Sequence, residues 1–135
     1  MSRLLIVEDQ PDIRRLVRWS LELEPHELHE ASNGAEGLAL ARSVRPDLVL
    51  LDVMMPGDLD GLAVCAQLKA DADLAGVRVV MLTARAQATD KDAALAAGAD
   101  AFLAKPFSPL ELIETIARLL KDAPPQGARA PQPHQ

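Results

Sequence analysis

This chain has little of several features that mark particular protein classes. Cys65 is its one cysteine in 135 residues, so no disulfide can form within the chain. We expect Cys65 to be a small buried helix residue and the protein to carry out no redox chemistry. No apolar run of about 18 residues is present, and Met1-Ser2-Arg3 leads directly into an apolar strand. We therefore expect no membrane insertion and a cytoplasmic location.

Aromatic residues and clustered basic residues are also scarce. Aromatic residues make up 2% of the chain, tyrosine is absent, and 20 acidic residues outnumber 14 basic ones to give a formal net charge of −6. Nucleic-acid binding depends on a basic patch, so we expect no direct binding to nucleic acid. His26, His29 and His134 lack the spacing of metal ligands, and we assign them no metal role.

The remaining composition, 49% hydrophobic and 25% charged, is typical of a globular domain able to bury a core. We predict one domain over residues 1–122. Residues 123–135 contain four prolines and no apolar periodicity. Such a segment buries too little surface to offset the entropy lost on ordering, so it is predicted to be a flexible tail.

Four apolar runs, each followed directly by polar residues, dominate the pattern of the chain. The runs are 4–7, 48–51, 79–82 and 101–104, and the residues that follow them are Glu8 and Asp9, Asp52, Thr83 and Lys105. Runs of this kind predict strands buried on both faces, and helical segments between them favour a parallel sheet. A weaker polar strand at 27–31 fits a sheet edge. The chain is thus predicted to be an α/β protein with five βα units in a doubly wound sheet.

Five helices are predicted between and after these strands. They begin at Pro11, after Asn33 with Glu36 as a capping pair, near 62, near 89 and after Ser108. The predicted buried face of the first helix comprises Ile13, Leu16, Val17, Ser20 and Leu21, with Arg14, Arg15 and Arg18 outward and Trp19 at the margin. That of the last helix comprises Ile113, Ile116, Ala117 and Leu120. The fourth helix ends before Gly98 and has Leu95 as its one large apolar residue, so we expect it to be held weakly.

The residues after the strands predict the chemistry of the site. Because parallel strands end at one edge of the sheet, three carboxylates, a hydroxyl and an ammonium are expected to meet there. Two carboxylates about 4 Å apart repel by roughly 4 kcal/mol at an effective dielectric of about 20, so the cluster must take up protons or recruit a cation. Mg²⁺ suits carboxylate oxygens, and a lysine with a hydroxyl suits a phosphoryl group. The site is predicted to carry phosphate on Asp52.

Four motifs in this order carry a resemblance to a known family. They are Ile6-Val7-Glu8-Asp9, Leu50-Leu51-Asp52-Val53-Met54-Met55-Pro56-Gly57, Leu82-Thr83-Ala84 and Lys105-Pro106-Phe107. Over residues 1–122 the chain resembles the receiver domain of two-component response regulators, of the single-domain, chemotaxis-regulator-like kind. The resemblance implies a flavodoxin-like fold, with a five-stranded parallel sheet in the order 2-1-3-4-5 and helices on both faces.

The resemblance also implies roles for individual residues. Asp52 would be the phosphoacceptor, and Mg²⁺ would be bound by Asp9, Asp52 and the backbone carbonyl of Met54, with Glu8 holding a metal-bound water. Thr83, followed by Ala84, and Lys105 would contact the phosphoryl group.

Further positions follow from the same resemblance. The peptide before Pro106 would be cis, and Phe102 would turn inward as the switch aromatic. Met54 and Arg85 would tune how long the phosphate lasts. The implied partners are a histidine kinase or phosphotransfer protein and an unidentified effector protein. A phosphorylation-dependent dimer is left open.

The loop after Asp52 departs from the family pattern, and the sequence leaves two other functions open. Pro56-Gly57-Asp58-Leu59-Asp60-Gly61 is one residue longer than the usual loop, and we expect Asp58 and Asp60 to cap a helix or face water. One alternative is an interaction module that keeps the fold but receives no phosphate. The other is a Mg²⁺-dependent phosphohydrolase, whose nucleophile aspartate is followed two residues later by a second aspartate. Here Met54 occupies that position.

Overall fold

The computed structural model describes residues 2–22, 24–53, 55, 59–74, 76–83, 88–105 and 107–122. Five strands alternate with five helices in this part of the chain, and a short 3-10 turn at Ala72–Leu74 follows the third helix. The elements are β1 (Ser2–Val7), α1 (Pro11–Leu21), β2 (His26–Ala31), α2 (Gly34–Val44), β3 (Leu48–Asp52), α3 (Gly61–Ala70), β4 (Arg78–Thr83), α4 (Ala88–Ala96), β5 (Ala101–Ala104) and α5 (Pro109–Asp122). The predicted tail, 123–135, lies outside the described residues.

All five strands are parallel and stand in the order β2-β1-β3-β4-β5, which confirms the predicted architecture. The apolar runs of β1 and β3 are fully buried, as expected for strands covered by helices on both faces. β2 is the polar edge strand predicted from its sequence. Among the described residues, no helix has both the length and the apolar character needed to cross a bilayer.

Two hydrophobic cores lie on opposite faces of the sheet because alternate strand residues point in opposite directions. Leu5 and Val7 of β1 belong to the core beneath α2, α3 and α4, whereas Leu4 and Ile6 belong to the core beneath α1 and α5. Each apolar run thus supplies both cores. This two-sided anchoring fixes where each strand ends, and therefore where the polar residues after it lie.

Polar side chains cap three helices near their predicted starts. The Asn33 side chain accepts from the Glu36 N–H (2.8 Å), and Asp60 accepts from the Ala63 N–H (2.9 Å), so Asp60 caps α3 as expected. The Glu36 carboxylate accepts from the Ser32 N–H (2.6 Å), one residue before the position that a capping box would use. Asp58 lies outside the described residues.

The last helix begins as predicted, and its buried face was predicted in part, since Ile116 is buried and Ile113 and Leu120 pack against the same core. Ser108 accepts from the Glu111 N–H (3.0 Å) and caps α5. The buried residues of α5 include Leu112, Thr115, Ile116 and Leu119, whereas Ala117 is exposed and Ile113 and Leu120 are half-buried. Both sets share Ile116 and have helical spacing. Thr115 interrupts the buried stripe of α5. The full stripe was not evident from the sequence because a hydroxyl does not count toward an apolar pattern.

The orientation of α1 also differs in part from the prediction. Val17 and Leu21 are buried, but Leu16 is 37% exposed and Trp19 is 66% exposed. Arg14 and Arg18 do not simply face solvent, since both form ion pairs with Glu30 of β2. The edge strand therefore draws these arginines toward the sheet.

The end of α4 has the predicted geometry, and Gly98 has a left-handed φ of 102°. Ala94 is buried, but Leu95 is 51% exposed, so the one large apolar residue of this helix does not contribute to the core.

Candidate functional site

The polar residues predicted to gather at the carboxyl edge of the sheet do lie there. Glu8 and Asp9 follow β1, Asp52 and Thr83 are the last residues of β3 and β4, and Lys105 follows β5. Asp52 pairs in register with Leu82, which places Thr83 one residue further along the neighbouring strand. The side chains of Asp52 and Thr83 are buried. The parallel sheet therefore brings together groups that are far apart in sequence.

Three carboxylates form a compact cluster at this edge. Glu8, Asp9 and Asp52 each offer an oxygen, and these oxygens lie within 4.8 Å of one another. Glu8 is fully buried, Asp52 is 4% exposed and Asp9 is half-buried. Repulsion among carboxylates this close is worth several kcal/mol in a partly buried site, so the cluster favours a bound cation.

Lys105 supplies part of the compensating charge. Its ammonium donates to Glu8 Oε1 at 2.8 Å and lies 3.5 Å from Asp52 Oδ1. The backbone of Lys105 is held in place by the neighbouring strand, since the Lys105 N–H donates to the Thr83 carbonyl at 2.6 Å. One ammonium among three carboxylates leaves two negative charges, and hard oxygen ligands with excess negative charge suit a divalent ion such as Mg²⁺.

The backbone after Asp52 is packed too closely for any residue but glycine at the start of α3. A Cβ on Gly61 would lie 2.1 Å from the Asp52 carbonyl oxygen. The Gly61 N–H donates to the Val53 carbonyl (2.9 Å), and the Val53 N–H donates to Leu82 of β4 (2.9 Å). Gly61 had no predicted role. A glycine at the first position of a helix could have indicated a close backbone approach. The approaching atom, the Asp52 carbonyl oxygen, could be known only from the path of the loop.

A second residue without a predicted role in the site, Arg14, contacts the turn that carries two of the carboxylates. Its guanidinium Nη1 donates to the Glu8 carbonyl at 2.8 Å. The Glu8 carboxylate in turn accepts from the Gln10 N–H (3.2 Å), and the Glu8 N–H donates to the Ala31 carbonyl (3.1 Å). Glu8 is therefore held through its backbone and its side chain.

The other predicted site residues divide into one that is described and four that are not. Phe102 lies in β5, opposite Met81 of β4, and is half-buried against the core beneath α3 and α4. Met54, Ala84, Arg85 and Pro106 lie outside the described residues, as do Pro56, Gly57 and Asp58 of the longer loop.

The remaining titratable residues of interest lie away from this edge. Cys65 is fully buried in α3, as predicted, and burial raises the pKa of its thiol to about 11. Burial lowers the pKa of His26, and His29 pairs with Glu27 at 2.7 Å. Within the described residues neither histidine joins a metal-binding cluster, and His134 lies outside them.

Comparisons with known proteins point to one family. A family model described as the response regulator receiver domain matches residues 4–117. The chain is similar to the DNA-binding dual master transcriptional regulator RpaA of Synechocystis sp., with 40% identity over 131 residues that cover 96% of this chain and 54% of the relative. It is also similar to the probable transcriptional regulator ycf27 of Porphyra purpurea, with 42% identity over 122 residues that cover 90% and 49%.

Solved structures give the same result. The Vibrio cholerae chemotaxis protein CheY4 has a TM-score of 0.83 and 31% identity, covering 88% of this chain and 98% of that one. A putative response regulator from Chloroflexus aurantiacus has a TM-score of 0.85 and 32% identity, covering 89% and 98%. The chain spans about half the length of the curated relatives that it matches, but nearly all of these two solved chains. Since the family match extends from the first strand into the last helix, the chain belongs to the response regulators and is a receiver domain of two-component signalling.

Proposed function

We propose that this chain is a phosphorylation-dependent switch that accepts a phosphoryl group on Asp52. The observation that carries the proposal is the meeting of Glu8, Asp9 and Asp52 with the Lys105 ammonium at one buried edge of the sheet. The donor would be a histidine kinase, a phosphotransfer protein or a small phosphodonor. The protein would be no general enzyme, since it would catalyse only its own phosphorylation and dephosphorylation.

The acidic cluster fits Mg²⁺ as the resident cation. Asp9 and Asp52 would be direct ligands together with the Met54 carbonyl, and Glu8 would hold a metal-bound water. When bound, Mg²⁺ supplies positive charge that lowers the repulsion between these carboxylates and an incoming phosphoryl group.

The residues of the chain then have separate tasks in the transfer. A carboxylate oxygen of Asp52 attacks the donor phosphorus, the bond from phosphorus to the donor atom breaks, and the donor keeps that electron pair. Lys105 already lies 3.5 Å from Asp52 Oδ1, so its ammonium is close enough to pair with a phosphoryl oxygen on that atom. The Thr83 hydroxyl, at the end of the adjacent strand, would donate to another oxygen.

Switching requires that the phosphoryl group contact the two states of the domain differently. Moving an equilibrium from about 1:99 to about 99:1 takes roughly 5.5 kcal/mol of differential stabilisation. New contacts to Thr83, Ala84 and Lys105 would supply much of it. Phe102 is half-buried in β5, so an inward turn of its ring would couple these contacts to the face formed by α4, β5 and α5.

The finer parts of the proposal follow the family pattern. Residues 1–122 would form the receiver domain, with 123–135 as a flexible tail. The Lys105–Pro106 peptide would be cis, and Met54 and Arg85 would set the lifetime of the phosphate. The output would be binding of an effector protein or phosphorylation-dependent dimerisation. The net charge of −6 disfavours direct contact with nucleic acid, although the relative RpaA is named as DNA-binding.

The test is acetyl phosphate with Mg²⁺, followed by intact-mass measurement of the full chain. We expect one added phosphoryl group in the wild type and in Asp73→Asn, an exposed control, and none in Asp52→Asn. No Asp52-dependent gain would favour the interaction module. Turnover of a simple phosphate ester that disappears in Asp52→Asn would instead favour the phosphohydrolase.

A further inference from the structure

The Arg14 side chain joins the acidic cluster to the edge strand. Arg14 lies in the first turn of α1, and its guanidinium donates from Nη1 to the Glu8 carbonyl (2.8 Å) and from Nε to Glu30 Oε1 (3.1 Å). The side chain is 22% exposed, so both bonds form in a partly dehydrated setting. A guanidinium presents several donors in a fixed plane and can make both bonds at once.

The carbonyl that Arg14 holds belongs to the peptide between Glu8 and Asp9. Rotation of that peptide would move both carboxylates relative to Asp52. The N–H of Glu8 is fixed independently by the Ala31 carbonyl (3.1 Å), so the Arg14 bond restrains the other end of the same residue. The guanidinium therefore restrains a part of the turn that the Ala31 bond does not hold.

The Arg14 side chain is anchored by charge as well as by geometry. Glu30 lies in β2 and also pairs with Arg18, one turn further along α1. Two arginines around one glutamate leave a net positive charge beside a cluster that has a net negative charge. This positive charge offsets part of the negative potential at the cluster, and Arg14 contacts the Glu8 turn through a backbone carbonyl.

We propose that Arg14 is a positioning residue for the metal-binding carboxylates, acting through the Glu8 carbonyl and anchored by Glu30. The proposal rests on the function proposed above, since it assumes that the cluster binds Mg²⁺. Partners that orient metal ligands contribute roughly 10- to 100-fold to metal affinity. We expect an effect near the lower end because Arg14 acts on a backbone group.

Arg15 offers a matched control on the same helix. It has the same charge, is 62% exposed and pairs with Asp12 at 3.8 Å, so its removal changes the net charge equally without touching the Glu8 turn. Arg14→Met keeps the aliphatic bulk and removes both hydrogen bonds. Arg14→Lys keeps the charge, but a single ammonium lacks the planar fork that reaches two acceptors.

The experiment measures Mg²⁺ affinity by calorimetry on the full chain, with thermal unfolding to verify that each variant is folded. We expect affinity to fall about tenfold in Arg14→Met, to fall less in Arg14→Lys and to stay within about twofold in Arg15→Met. A second readout needs no metal. The carbonyl ¹³C resonance of Glu8 should move upfield in Arg14→Met, as expected for a lost hydrogen bond, and stay in place in Arg15→Met.

The outcomes separate this proposal from the one on which it rests. If the wild type binds Mg²⁺ but Arg14→Met matches Arg15→Met in both readouts, the role of Arg14 is wrong and the proposed function stands. A wild type that binds no Mg²⁺ would overturn both. If Arg14→Met fails to fold, Arg14→Lys decides, because unchanged affinity and an unchanged Glu8 resonance in that variant would also overturn the proposal.

Discussion

Lys105 holds two buried carboxylates at the edge of the sheet with a single ammonium group. Replacing it by methionine would leave three carboxylates close together without that charge. We expect Lys105→Met to lower the free energy of unfolding by about 3 kcal/mol without metal, because breaking a buried ion pair exposes its partner to repulsion. Mg²⁺ should restore more stability to the variant than it adds to the wild type. Urea unfolding with and without Mg²⁺ measures both.

The control for this prediction is Lys121→Met on the exposed side of α5. That variant removes the same charge from an exposed side chain in the last turn of α5 and should change stability little. Equal losses in the two lysine variants would contradict the interpretation of Lys105 as a compensating charge.

Cys65 gives the fold a dependence on alkaline pH. Burial raises the pKa of its thiol from 9.0 to about 11, so the unfolded chain loses this proton at lower pH than the folded chain. Stability contributed by the buried thiol is complete below about pH 9 and is lost as the pH rises toward 11, by up to about 2 to 3 kcal/mol. Unfolding free energies at about pH 8 and about pH 10 should differ less in Cys65→Ala than in the wild type. Identical pH dependence in the two proteins would argue against a protonated, buried thiol.

The sequence predicted where a polar residue lies most reliably where that residue directly follows a strand. Asp52, Thr83 and Lys105 could be located because the strand before each was evident from its apolar run. Gly61 and Arg14 could not, since their importance comes from atoms that approach through the fold. The Asp52 carbonyl lies where a Gly61 side chain would be, and the Glu8 carbonyl accepts from Arg14. Neither contact leaves a periodic signal in the sequence.

At the scale of elements, helix faces were harder to predict than helix positions. The starts of α1 and α5 followed from Pro11 and Ser108, which are local signals. The face that a helix buries depends on the neighbouring elements. Leu16 is 37% exposed although it fits the apolar stripe of α1, and Thr115 is buried although it interrupts that of α5.

The helices of this domain are anchored to very different extents. Among the described side chains of α4, those of 92–96, Ala94 alone is buried, and Leu95 is 51% exposed. Buried Leu112, Ile116 and Leu119 hold α5 to the opposite face of the sheet. We predict that amides in α4 exchange with solvent through openings of lower free energy than amides in α5, because local stability follows buried apolar contact.

Native-state hydrogen exchange followed by NMR measures this difference residue by residue. The two helices are compared within one sample, so α5 is the internal control. Equal protection of α4 and α5 would contradict the prediction and the expectation that α4 is held weakly.

At the scale of the whole molecule, the sequence pattern was most informative about the layered architecture of the domain. Apolar runs alternating with helical segments predicted a parallel sheet covered on both faces, and the two cores on either side of β1 and β3 confirm it. The order of the strands came from the family resemblance, because periodicity does not determine which parallel strand lies beside which. The extra loop residue between Asp52 and Gly61 leaves the strand order unchanged.

Repulsion among the clustered carboxylates lowers the metal-free stability of the whole domain. Asp9 lies with Glu8 and Asp52 in a group whose oxygens are within 4.8 Å, so neutralising it relieves repulsion. We expect Asp9→Asn to raise the metal-free free energy of unfolding by on the order of 1 kcal/mol. In the wild type, Mg²⁺ at about 100 times its Kd should add about 2.7 kcal/mol. In Asp9→Asn that addition should largely disappear because a direct ligand is lost.

Urea unfolding of both proteins across a Mg²⁺ titration tests this trade between stability and binding, with Asp73→Asn as an exposed control. The curves of wild type and Asp9→Asn should cross, the variant being more stable without Mg²⁺ and the wild type more stable with it. A variant that is less stable than the wild type at zero Mg²⁺ would mean that Lys105 already compensates the cluster. The need for a cation would then lose its electrostatic basis, because the two remaining negative charges would no longer oppose folding.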